Sequence, residues 1–196
     1  MNRPIRSMAR AAALALMVTA LAVGATGVVL AASPLEGTAW HLYADRDQTR
    51  VAGVGSWDWG RGEGMLFLLA GGSCRLDTYG QGGAIESIAP PAGCLGNACL
   101  PCSWTGDSKG KRVTIRFSET LARELMIGNL TDIAEDEGAD LTGMRFSMTK
   151  NRCSGVVKSA RMTVIWDVAG KLTVPNEGLK NRSASHQVRA SGSRVQ

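Results

Sequence analysis

Histidine is nearly missing from this chain, with His41 and His186 the two examples in 196 residues. Catalysis by a Ser–His or Cys–His pair needs a base that changes charge near neutrality, so it would have to rest on one of these two. His41 follows Trp40 on the polar side of the first alternating segment, which reads as a surface position, and His186 lies in a stretch with little to bury. No G-x-S-x-G motif supplies a nucleophile. Ser103 stands where c-type haem attachment needs a histidine after the second cysteine of Cys99-Leu-Pro-Cys102, which excludes that chemistry. The acidic run from Asp132 to Asp140 lacks the EF-hand spacing and reads as a solvated loop. No catalytic residue, no metal ligand set and no cofactor is assigned.

Acidic residues are absent from the first 31 positions. Arg3, Arg6 and Arg10 precede an uncharged Ala- and Leu-rich stretch that ends in Val29-Leu30-Ala31. This basic, apolar, small-residue order is that of a cleaved signal peptide, which places the mature chain in the periplasm or outside the cell. A single-span anchor is the rival reading, because the stretch just reaches the ~20 residues a bilayer core requires. No Arg-Arg pair marks it for the twin-arginine route. Three of the 22 basic residues fall in this segment, leaving 19 against 17 acidic ones. Such a balance gives no basic face for nucleic acid.

The chain divides into a signal peptide (1–31), a β-rich globular domain (32–178) and a basic tail (179–196). The tail carries Lys180, Arg182, Arg189 and Arg194 with no acid and few apolar residues. It is expected to be disordered, with envelope-surface contact as its partner role. Within the domain the apolar period is two. Val113, Ile115 and Phe117 alternate with Arg112, Thr114 and Arg116; Met144, Phe146 and Met148 do the same, as do Met162, Val164, Trp166 and Val168. Successive strand side chains point to opposite faces, so each run has one dry face. Trp40, Leu42 and Ala44 form the first strand, and the unbroken run from Met65 to Ala70 reads as a strand buried on both sides. One short helix is expected, capped by Ser118, with Leu121, Ala122, Leu125 and Met126 as its apolar stripe and Gly128 as its end.

Short strands, abundant glycine and one helix imply a mainly β fold, an antiparallel barrel or sandwich. Gly37-Thr38-Ala39-Trp40 opens the domain in a way that resembles the Gly-x-Trp opening of the lipocalins, one residue longer. The resemblance covers four residues and implies a lipocalin- or calycin-like barrel.

Five cysteines remain in the mature chain: Cys74, Cys94, Cys99, Cys102 and Cys153. In an oxidising compartment they should pair, and the odd count leaves one over. A stapled loop with one further bridge to Cys74 or Cys153 is the plain expectation. Cys94, Cys99 and Cys102 also resemble, in their C-x4-C-x2-C spacing, the first three cluster ligands of plant-type ferredoxins. A redox or metal (Fe–S or Zn) protein using those three is therefore one alternative. Trp57-Asp58-Trp59, set between glycines, provides the binding candidate: two indoles facing one way on an extended segment, flanking a carboxylate that accepts hydroxyl hydrogen bonds. That gives a carbohydrate- or envelope-binding module as a second alternative. The leading expectation is a non-enzymatic exported barrel that holds an apolar small molecule or lipid, its core drawn from Met65, Phe67, Ile115, Phe117, Val164, Trp166 and their neighbours on the same strands.

Overall fold

The computed structural model describes residues 33–79 and 98–195. Residues 1–31, expected to be a signal peptide, and Cys94 lie outside the described residues. Among the described residues, nine strands and one helix follow in the order β1 (Thr38–Val51), β2 (Gly55–Asp58), β3 (Glu63–Leu68), β4 (Ser73–Tyr79), β5 (Ala98–Gly106), β6 (Arg112–Phe117), α1 (Glu119–Glu137), β7 (Arg145–Lys158), β8 (Arg161–Val174) and β9 (Leu179–Arg194). All pairings are antiparallel between neighbours, and β9 pairs with β1 to close the sheet. The residues of β2 and β3 both pair with β1, Val51 with Gly55 at one end and Thr38 with Leu68 at the other. They are two halves of one strand, interrupted at residues 59–62. The result is a closed eight-strand up-and-down barrel, one of the two architectures the alternation allowed.

Alternation explains which faces turn inward. β6 buries Val113, Ile115 and Phe117 and exposes the residues between them. β8 buries Met162, Val164, Trp166, Val168, Leu172 and Val174 on one face along its full length. The apolar run Met65–Leu68 is buried on both faces: Leu66 and Leu68 join the main core. Met65 and Phe67 instead pack with Ala39 as a separate cluster on the other side of the sheet. The expectation that Met65 and Phe67 line the barrel interior is corrected on this point. Their register partners, His41 and Ala39, alternate with the inward-facing Trp40 and Leu42, so they too face away from it.

β1 extends well past Ala44. Its register with β9 shifts between Ala44 and Arg46, a β-bulge that changes which positions face inward. Before the bulge Trp40, Leu42 and Ala44 turn inward; after it Asp47, Thr49 and Val51 do, opposite Val188, His186 and Ala184. Without the inserted residue Arg46, Gln48 and Arg50 would be driven into the core.

The expected disordered tail is the second correction. Residues 179–194 form β9, the longest strand, hydrogen-bonded to β8 on one side and β1 on the other. Ala184 and His186 are buried inside it, and the basic side chains Lys180, Arg182, Arg189 and Arg194 sit on its exposed positions. A segment with few bulky apolar residues is held here because its backbone completes two ladders, and because small residues suit a close seam. A Cβ at Gly192 would run into the His41 carbonyl on β1, so only glycine fits there.

The helix is also longer than expected. Ser118 caps it, accepting from the Leu121 N–H at 3.1 Å, but the helix runs through the exposed Gly128 to Glu137 and ends at Gly138, whose φ of 68° is left-handed. Glycine inside a helix costs about 1 kcal/mol relative to alanine. Burial of Met126, Leu130, Ile133 and Ala134 against the barrel outweighs that cost. Residues 132–137 of the expected acidic loop are thus its last turns.

Candidate functional site

The barrel is hollow. A cavity of about 350 Å³ lies inside it, with wall residues from strands β1 and β3–β9 and from α1. Leu42, Leu66, Leu76, Leu100, Ile115, Phe117, Val164 and Trp166 give it an apolar body, and Leu125 of α1 contributes from the helix. Toward Thr49 and His186 the wall becomes polar, where Asp47, Trp59, Asn129 and His186 meet.

These four residues are brought together by three devices that sequence reading does not see at once. The bulge in β1 turns Asp47 and Thr49 inward. Closure of the barrel places His186 opposite Thr49. The extension of α1 beyond Gly128 brings Asn129 over both. Thr49 is fully buried, and its hydroxyl accepts from Trp59 Nε1 at 2.8 Å. The same hydroxyl lies 3.0 Å from His186 Nδ1. Asn129 Nδ2 also lies 3.0 Å from that nitrogen. An amide nitrogen only donates, so Nδ1 accepts and the ring proton sits on Nε2. Nε2 lies 3.5 Å from Asp47 Oδ1, a buried oxygen that takes no hydrogen bond among the described residues.

Burial pushes the Asp47 carboxyl up from 3.8 to about 6, and the nearby Asp58 carboxylate on β2 adds to the rise. Burial pushes the His186 imidazole down from 6.5 to about 4. The two act on stability in opposite senses. A raised carboxyl contributes stability that is complete at low pH and is lost as pH rises through about 6; a depressed imidazole contributes nothing unfavourable above 6.5 and destabilises as pH falls toward about 4. Near the middle of that window the unfolded pair holds one proton, on the imidazole, and the folded pair holds one, on the carboxyl, so the two effects offset. Single substitutions unmask them. Asp47→Asn is expected to lose stability as pH falls from about 6.5 to about 4.5, and His186→Gln to lose it as pH rises over the same range, each by on the order of 2 kcal/mol. Thermal melts of both variants across that range check this; profiles with the same slope would refute the assignment.

The residues expected from sequence are placed as follows. Trp57 is half-buried against the core, with Nε1 donating to Glu137 at the end of α1 at 3.2 Å. Trp59 sits in the interruption between β2 and β3 and lines the cavity. Asp58 is exposed and accepts from the Gly60 N–H at 3.0 Å. Both indole N–H groups are therefore engaged within the fold. His41 Nε2 donates to Glu63 Oε2, 2.9 Å away on the neighbouring strand. His186, expected in a loose tail, is buried and sits in the site itself.

Cys74 on β4 and Cys102 on β5 face each other across the ladder and form a disulfide, their Cα atoms 4.8 Å apart. Cys99 is disulfide-bonded as well. Cys99 and Cys102 are three residues apart on one strand, so they point to opposite faces and do not act as a dithiol pair. Cys153 is a free thiol, buried in the cavity wall; burial, with the Asp167 carboxylate adding to it, pushes it up to about 12, which keeps it protonated. A structural disulfide belongs to an oxidising, non-cytoplasmic compartment.

No protein-family model matches this chain, and no curated protein matches it either. Function has to be argued from the cavity.

Proposed function

We propose that this protein is an exported, non-enzymatic barrel that binds a small apolar molecule in its interior. The cavity carries the proposal: about 350 Å³, walled by apolar side chains and bounded at one end by a few convergent polar groups. Small-molecule sites have this composition and begin at roughly 300 Å³. An eight-strand barrel of this type can be filled by its own side chains or hold one small ligand. Here Ala44, Gly62, Gly64 and Ala190 are small where larger wall residues would close the space.

Export rests on the segment from Arg3 to Ala31 and fits the disulfides. Intact mass of protein recovered from its own compartment tests it, with cleavage near Ala31 the expected result.

A thermal-melt screen with apolar small molecules tests binding. A true ligand at a hundredfold excess over its Kd adds about 2.7 kcal/mol, a rise of roughly 5–10 °C for a domain of this size. Ala190→Leu, which projects into the cavity, is expected to remove the rise while leaving the unliganded melt within a few degrees. If no apolar compound shifts the melt, or if the filled variant responds as the wild type does, the binding proposal fails.

A further inference from the structure

The polar end of the cavity says which head group it accepts. We propose that the bound molecule is an amphiphile whose polar end is a cation or hydrogen-bond donor, an alkylammonium above all, held by Asp47, and that fatty-acid carboxylates are excluded; this rests on the cavity being the ligand site.

Three observations carry it. First, the wall has carboxylates and no opposing cation. Asp47 and Glu63 are its acidic residues, no Lys or Arg lines it, and Glu63 is committed to His41 at 2.9 Å. Among the described residues Asp47 is the carboxylate left to a ligand, since His186 and Cys153 in the same wall are held neutral. Second, Asp47 is under-served. Its Oδ1 is buried without a hydrogen bond, and the basic group beside it, His186 Nε2, stands at 3.5 Å. The Asp47 side chain keeps 29% of its surface exposed, but an oxygen buried with too few donors is costly and is relieved by a ligand that donates. Third, the indole and amide donors around it are spent, and the His186 Nε2–H already faces Asp47. Trp59 Nε1 is on Thr49 at 2.8 Å, Trp166 Nε1 on Asn151 at 3.0 Å, and Asn129 Nδ2 on His186 at 3.0 Å. A ligand carboxylate entering here would meet a like charge in a low-dielectric space with those donors unavailable to it.

At neutral pH the group is in the state this requires. Burial brings Asp47 to about 6, so it is ionised above that value, and His186 is held neutral and does not cancel it.

Matched chains with different heads separate the inference from the reading beneath it. Octylamine, octanol and octanoate are titrated near neutral pH by calorimetry into the protein as recovered from its own compartment, with wild type and Asp47→Asn in parallel. Octylamine is expected to bind roughly tenfold or more tighter than octanol, with octanoate weakest. Asp47→Asn should erase the amine's advantage and leave octanol unchanged. Should that variant not fold, the order of the three heads on wild type decides alone. Equal binding of all three, or octanoate tightest, overturns the inference and leaves the apolar cavity standing. Binding by none of them overturns both.

Discussion

Truncation after Gly178 is expected to abolish folding. The removed segment looks dispensable by composition, yet β9 supplies one of the eight barrel staves and pairs with both β8 and β1. Its loss opens two full-length edges at once and uncovers Val164, Trp166 and Val168 on β8 together with Trp40 and Leu42 on β1. It also deletes His186, so Thr49, Asn129 and Asp47 lose the group that connects them. Far-UV circular dichroism and a thermal melt of the truncated chain check this: no cooperative transition is expected. Adding a synthetic peptide of residues 179–195 should restore one, because an extended strand docks on paired edges through main-chain hydrogen bonds. A truncated protein that still melts cooperatively on its own would mean the barrel does not need its closing strand.

The Cys74–Cys102 bridge gives the second large effect. It joins β4 to β5 across 28 positions of sequence. Constraining a loop of that length in the unfolded chain is worth about 3–4 kcal/mol. Replacing both cysteines with alanine is expected to lower the melting temperature by roughly 7–15 °C. The double substitution is preferable to chemical reduction, because Cys99 is disulfide-bonded too and a reductant would report both bridges together. Calorimetry of the Cys74→Ala/Cys102→Ala protein gives the answer, and a drop of less than a couple of degrees would show that the adjacent strand pairing already fixes this region.

These two effects sit on opposite sides of what the residue pattern reveals. The disulfide was foreseeable in kind, since an oxidising compartment and five mature cysteines demand pairing; which cysteines pair depends on the β4–β5 register. The importance of β9 was hidden. Its small and polar residues carry no period-two signal because they lie on a seam where close backbone approach, as at Gly192 against His41, matters more than buried volume.

The candidate site divides the same way. Ile115, Phe117, Val164 and Trp166 were legible as inward-facing from alternation alone, and they do line the cavity. Trp59 was legible as unusual, as a ligand platform or as a plug for one end of a barrel; that its indole N–H is held by Thr49 was not legible. Asp47, Asn129 and His186 were not legible. Asp47 reads as a polar position on the wet face until the bulge shifts its register. Asn129 reads as the start of a loop until tertiary burial carries the helix past Gly128. His186 reads as part of a tail until the ring closes.

What the sequence alone determined is the fold class. Period-two alternation in segments of strand length allows one dry face per strand, and a sheet with one dry face must curl upon itself or pack against another. What the tertiary structure decided is the character of the interior: the register shifts, the length of the helix and the closing strand. Each of these depends on contacts between residues distant in the chain, such as Thr49 with His186, whose energies are absent from any local stretch of sequence. A hollow barrel with one under-served carboxylate is therefore a property of the closed fold, and no segment of the chain announces it separately.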